Sequence, residues 1–156
     1  CGVCGTRGVD AEPADLMGEK NLYQNVKMVT AFAEKSGAVV AATGKNDIVS
    51  DGRKAYWIQN GHSMMQTVTG VGCQLSALTA AYVAANPKHT LEAVTAAVSA
   101  IGVCGELAYE RMSDLDGNAS YRNYLIDAVY RLDGKKLERL ARVEKVNEDG
   151  EKSNEM

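Results

Sequence analysis

Thr67-Val68-Thr69-Gly70-Val71-Gly72-Cys73-Gln74-Leu75-Ser76 is the stretch that decides how this chain is read. Two glycines flank one residue, a thiol follows, and small and apolar residues then recur at helical spacing. A glycine turn that opens a helix gathers backbone N–H groups lacking intrahelical acceptors, and the helix dipole adds positive potential there. The stretch therefore reads as an anion-holding loop with a cysteine at its rim. The same residues also suit a bare strand-to-helix connection, because Gly-x-Gly alone has low specificity.

Working back from the loop, Asp47–Gly52 and Lys54–Gln59 predict two strands joined by an Asp-Gly turn, and Asn60-Gly61 predicts another turn. The apolar run Ala38–Ala42 predicts a short buried strand ending at Thr43-Gly44. Residues 21–36 predict a helix, with Leu22, Val26, Val29 and Ala33 in its stripe, Met28 and Phe32 widening it, and Gly37 as its stop. Residues 1–20 are loop-like.

Working forward, residues 74–85 are apolar or small nearly all round and predict a buried helix that ends at Asn86-Pro87. Thr90 can cap a helix from Leu91 to about Arg111, in which Cys104 packs as a core residue. Asp114–Ala119 predicts a loop. Asn118 or Ser120 then caps a helix through Leu132, and a short helix spans residues 135–143. From Glu144 the chain is charged and reads as a frayed tail. The order of elements is that of an α/β protein.

A length of 156 residues suffices for one domain with a real core. The net charge of −3 gives no electrostatic case for nucleic acid or for an anionic membrane. No apolar run is read as approaching the ~18–20 residues that span a bilayer, and no signal peptide is expected. Four cysteines are too few for a disulfide scaffold, which favours a reducing cytoplasm. The start, Cys1-Gly2-Val3-Cys4-Gly5, lacks an initiator methionine and reads as a truncated frame or a processed piece.

Several residues carry candidate chemistry. Backbone N–H groups of residues 70–73 can stabilise charge developing on a transferred group. Cys73 either deprotonates a substrate hydroxyl or lines the site. No histidine is adjacent to it, so a Cys-His dyad has no support. Thr43, past a strand end, either contacts phosphate or caps its loop. His62 and His89 read as surface residues, Asp47 and Asp51 as turn residues, and Met64 and Met65 as packing. Cys1-x-x-Cys4 is half of a zinc or redox motif, but no second CxxC and no nearby histidine accompany it.

Taken together, Gly37–Gly44, Asp47-Ile48-Val49, Asn60-Gly61-His62 and Thr69–Ala77 resemble the hydroxyethylthiazole kinase family in order and spacing. Gly8–Ala11 and Gly117–Tyr124 resemble it too, so the likeness covers nearly all of residues 5–143. The resemblance implies a ribokinase-like three-layer α/β/α fold, of which this chain is a C-terminal portion truncated at the N-terminus. Residues 1–143 would be a partial kinase domain and residues 144–156 a tail. It implies phosphorylation of the hydroxyl of 4-methyl-5-(2-hydroxyethyl)thiazole with ATP and Mg²⁺, in thiamine biosynthesis and salvage, by a cytoplasmic homotrimer. It places Thr43 against the ATP phosphates and Gly70 against the thiazole. Gly70, Val71, Gly72 and Cys73 become the anion hole, and Cys73 stands where related sugar kinases carry an aspartate base.

Two departures from the family pattern follow. Val71 replaces a threonine, which a backbone anion hole tolerates. The family's upstream segment, with an Arg-Gly-Asn-x-Ser-Glu motif for nucleotide and metal, has no counterpart. Asp116-Gly117-Asn118-Ala119-Ser120 imitates that motif but lacks the arginine, and Tyr121 replaces the glutamate. No metal ligand is therefore assigned, and weak or no activity is expected of these 156 residues alone. The alternatives are a related small-alcohol kinase, such as a hydroxymethylpyrimidine kinase, and a non-catalytic nucleotide-binding or interaction remnant.

Overall fold

The computed structural model describes residues 19–44 and 46–146. Calpha contacts divide the chain into two compact units, Cys1–Trp57 with Glu144–Met156, and Ile58–Val143. The Cys1-x-x-Cys4 motif and the Gly8–Ala11 likeness lie outside the described residues.

In the first unit, helix α1 (Glu19–Ser36) buries the predicted stripe of Val26, Val29 and Ala33, while Phe32 is exposed. Gly37, at φ +66°, closes the helix by donating its N–H to Ala33 O at 2.9 Å. α1 covers a four-stranded sheet of β1 (Val40–Ala42), β2 (Asp47–Ser50), β3 (Ala55–Ile58) and β4 (Val143–Val146), in that spatial order. β1 pairs antiparallel with β2, Val40 opposite Ser50 and Ala42 opposite Ile48. The turn between β2 and β3 is held by Asp51, whose Oδ1 accepts from the N–H groups of Arg53 and Lys54, each at 2.8 Å. Gly52 sits there at φ +90°, and a Cβ on it would lie 2.6 Å from the Glu34 backbone.

Two expectations change. β1 is a half-exposed edge strand and not a buried one, because it has a strand partner on one side only. Residues 144–146, read from sequence as the start of the tail, form β4, and Val146 is buried with Val26, Val29, Ile48 and Ala55. A strand needs one apolar face, and Val146 was hidden among charges.

The second unit is built on α3 (Thr90–Glu110), which packs against α2 (Val71–Ala85), α4 (Asn118–Arg131), α5 (Gly134–Leu140) and a 3-10 turn at Ser63–Thr67. α3 is long and apolar enough to cross a membrane, which corrects the reading that no run approaches that length. Its Ala97, Val98, Ile101, Val103 and Cys104 are buried, as a core helix requires. The hydroxyls of Thr95 and Ser99, also buried, donate to Leu91 O and Thr95 O at 2.8 Å, so no polar cost is left open. Tyr121 of α4 is fully buried and donates its hydroxyl to Gly105 O at 2.9 Å. His89, not Thr90, occupies the cap position of α3, and Gly117 that of α4.

α2 departs from its expected burial. None of its residues is buried. Val71, Leu75 and Leu78 lean on the core of the unit, while Ala77, Ala80, Ala81 and Ala84 face out. A helix apolar all round meets α3 on one face only, and its small side chains leave the other face open.

Two glycines of α3 set how closely the chain before α2 can approach. A Cβ on Gly102 would lie 2.8 Å from Asn60 Cβ and 2.9 Å from the Asn60 carbonyl, both fixed by backbone. A Cβ on Gly105 would meet the flexible end of the Met65 side chain at its Sδ. Gly102→Ala is therefore expected to lower unfolding free energy by about 2 kcal/mol, as overpacking does, and Gly105→Ala by less. Urea denaturation of the two variants checks this. Stabilisation by Gly102→Ala, as helix propensity alone would give, contradicts the close approach.

Candidate anion site at the start of helix α2

The site begins where the chain leaves β3. Asn60 is buried and saturated with partners. Its Nδ2 donates to Glu106 Oε2 at 3.1 Å and to Leu140 O at 3.0 Å, and its Oδ1 accepts from the Arg142 N–H at 2.7 Å. The Glu106 carboxylate also accepts from the Gly61 N–H at 2.7 Å and pairs with the Arg142 guanidinium. Carboxylate and guanidinium here neutralise one another while fixing the entry of the segment, a charge-assisted arrangement stronger than neutral bonds.

His62 follows and begins the 3-10 turn. Its Nδ1 accepts from the Met64 N–H at 3.2 Å, and its ring stacks on Tyr109 with centroids 3.6 Å apart. It is half-buried and structural, whereas the sequence suggested a surface residue. Met64 and Met65 pack on the core, as expected. Asn118 donates from Nδ2 to Thr67 O at 3.3 Å, tying the start of α4 to the end of the turn. Val68 is buried and anchors the last step before the glycines.

Gly70 then adopts φ +100°, ψ −2°, a conformation glycine reaches without strain, and caps α2. The helix starts at Val71, three residues before the predicted start, and its first backbone bond runs from Gln74 N to Gly70 O at 3.0 Å. The N–H groups of Val71, Gly72 and Cys73 therefore belong to the first turn, where the helix provides no acceptors. Gly70, at the cap position, gives them no side-chain acceptor. Among the described residues no atom lies within 4 Å of where a Cβ would stand on Gly70 or Gly72, so they leave the turn open on that side. Cys73 is exposed and a free thiol. An exposed helix start with three clustered N–H groups and no acidic residue in its first turn is suited to an oxyanion or phosphate.

The remaining candidates belong to other elements. Thr43 is exposed just past β1, in the first unit, whereas Gly70–Cys73 belong to the second. Beside Thr43, Gly44 donates its N–H to Asp47 Oδ1 at 2.8 Å, which makes Asp47 a loop-closing residue. Burial pushes the Asp47 carboxyl up to about 6, and the Gly44 hydrogen bond only partly opposes this. Cys104 is buried and inert, its thiol pushed up to about 11 by desolvation. His89 is exposed.

Asp116 does not offer itself to a cation. Its carboxylate is held below the usual range first by the Ser113 N–H and then by hydroxyls, with Ser113 Oγ at 2.9 Å and Tyr124 Oη at 3.3 Å from it. Among the described residues no three His, Cys, Asp or Glu side chains cluster as a metal site. The described residues therefore present no three-ligand site for a divalent ion.

Sequence reasoning missed the Asn60–Glu106–Arg142 network and the Asn118 tie. Both join residues far apart in the chain. The signal available was Gly102-x-x-Gly105, two glycines one turn apart in an otherwise strong helix, which marks a close approach.

Three comparisons bear on this geometry. A model of the Hydroxyethylthiazole kinase family matches residues 2–135. The chain is similar to a hydroxyethylthiazole kinase of Clostridium acetobutylicum, 50% identical over 139 residues that cover 89% of this chain and 51% of that protein. It is also similar to hydroxyethylthiazole kinase 2 of Clostridium botulinum strain 657, 36% identical over 81% of this chain and 45% of the relative. A solved structure of a hydroxyethylthiazole kinase from Pyrococcus horikoshii matches with a TM-score of 0.74 at 34% identity, over 83% of this chain and 49% of that one. The chain spans about half the length of the curated relatives it matches.

The Asp47 carboxyl gives a pH test of the Thr43 loop. Its folded value, about 6, lies above the ordinary 3.8, so the folded state holds the proton more tightly. The stability this confers is complete below about pH 4 and is lost as pH rises through about 6. Asp47→Asn, which keeps an acceptor for Gly44, is expected to flatten that part of the stability profile. Denaturation midpoints between pH 4 and pH 7, with the carboxyl followed by NMR, check both points.

Proposed function

The chain belongs to the hydroxyethylthiazole kinase family, and on that premise we propose that it carries the phosphoryl-transfer loop of a kinase acting on 4-methyl-5-(2-hydroxyethyl)thiazole. The observation that carries this reading is the open first turn of α2 behind a left-handed Gly70, with three clustered N–H groups and the exposed Cys73 thiol.

Phosphoryl transfer depends on positioning and on stabilising charge spread over the oxygens of the transferred group. In this reading ATP supplies the γ-phosphoryl group and Thr43 contacts its phosphates. The N–H groups of Val71, Gly72 and Cys73 line the anion hole, and Gly70 lets the thiazole come close to the backbone. The Cys73 sulfur, acting as the thiolate, takes the proton of the substrate hydroxyl and becomes the thiol as the hydroxyl oxygen bonds to phosphorus and the bond to ADP breaks. Val71 fits this role as well as threonine would, since its backbone does the work.

Mg²⁺ accompanies ATP in the family reading. The described residues include no fitting ligand set, so its place is not assigned. The kinase domain is taken to include β4, which runs to Val146. The homotrimer rests on the family resemblance alone. A cytoplasmic setting is supported by Cys73 and Cys104, both free thiols.

The test is a chimaera in which this chain replaces the matching part of the Clostridium acetobutylicum relative. It is expected to transfer phosphate from ATP to the thiazole alcohol, and Cys73→Ser is expected to lower kcat about a hundredfold with little change in KM. A folded, ATP-binding chimaera that phosphorylates only a different alcohol contradicts the substrate. Unchanged turnover in Cys73→Ser contradicts the base.

A further inference from the structure

A recess lies within the Ile58–Val143 unit, lined by α3, α4 and α5 and built from residues other than those of the glycine loop. It is an open recess of about 320 Å³, at the lower end of small-molecule sites. Leu107, Ala128 and the Tyr124 ring give it an apolar wall. Arg111, Arg131 and Lys136 line the rest, against a single carboxylate, Asp127.

Two of the cations are held in place. The Arg111 guanidinium lies 4.2 Å from the Tyr124 ring centroid and bonds Asp127 Oδ2 at 2.7 Å. Lys136 reaches back from the first turn of α5 to the end of α4, where its Nζ donates to Arg131 O at 3.3 Å. That turn is itself fixed by Asp133, which accepts the Lys136 N–H at 2.8 Å. The whole chain is acidic, with a net charge of −3, so a recess with excess positive charge departs locally from the protein's balance. Like charges gathered on a half-apolar wall repel one another unless an anion sits among them.

We propose that this recess binds a small organic anion, a phosphate or carboxylate group carried on a flat or aliphatic body. The acid group lies between Arg131 and Lys136, and the body packs on Leu107, Ala128 and Tyr124. Arg111, already paired with Asp127, contributes its stacked guanidinium plane more than free charge. The proposal does not depend on the kinase reading, because it uses none of the residues 70–73.

Calorimetry on the 156-residue chain tests it, with phenyl phosphate and benzoate as probes and benzyl alcohol as the neutral control. Saturable binding of at least one anion, and none of benzyl alcohol, is expected; which anion binds decides between phosphate and carboxylate. Arg131→Ala and Lys136→Ala are each expected to weaken binding about fivefold, the scale of a half-exposed charged contact, while Lys136→Arg restores it. Circular dichroism confirms that the variants stay folded, and in Gly70→Ala, where the glycine loop no longer takes phosphate, the binding that depends on Arg131 and Lys136 is expected to remain. Absence of saturable binding overturns the proposal. So does equal binding of benzyl alcohol, or binding lost in Gly70→Ala but kept in the Arg131 and Lys136 variants.

Discussion

The approach of Asn60 to Gly102 is the contact on which the second unit depends. No side chain larger than hydrogen fits at Gly102, because the Asn60 backbone already occupies the space. That proximity places the Asn60 amide where Glu106, Leu140 and Arg142 can all bond it. A buried amide with unmet partners would cost the unit dearly, whereas a saturated one specifies a single arrangement. From this point the chain has little freedom. Glu106 holds Gly61, His62 begins the 3-10 turn, Met65 enters the space beside Gly105, and Asn118 holds Thr67. Gly70 is reached only a few residues later.

The consequence for chemistry is a helix start that is rigidly held from behind and open in front. Preorganisation matters because donors that need not rearrange during reaction stabilise developing charge most effectively. The apolar support under the loop is Val68, Ile101, Cys104 and Ala108, with Tyr121 and Leu125 of α4 behind them. None of these groups is reactive. Cys104 shows the contrast with Cys73: one thiol is sealed in the core, its proton held by burial, and the other stands in the open at the first turn of α2.

Local signals in the sequence read well where the physics is local. The α1 stripe, the Asp51-Gly52 turn, the core place of Cys104 and the glycine start of α2 all follow from spacing and backbone preference. The α/β class does too, and it agrees with the likeness to a solved kinase structure. What did not read was set by distant partners. The edge position of β1 depends on which strands flank it, and β4 on a lone Val146 among charges. The open face of α2 is invisible to composition, since a helix apolar all round ordinarily lies inside. The Arg142–Glu106 pair joins residues too far apart for any pattern to connect. At the candidate site the backbone donors and Cys73 were readable, and the network that positions them was not.

The claim at the centre of this account is that the N–H groups of Val71, Gly72 and Cys73 form an anion hole. The direct measurement is an NMR titration of the backbone amides with inorganic phosphate. The account predicts saturable shifts at these three amides, at low ionic strength, that vanish when Gly70 is replaced by alanine and the turn can no longer form without strain. Amides of residues 71–73 that stay still while phosphate binds elsewhere, or that shift equally in the Gly70→Ala variant, would contradict it.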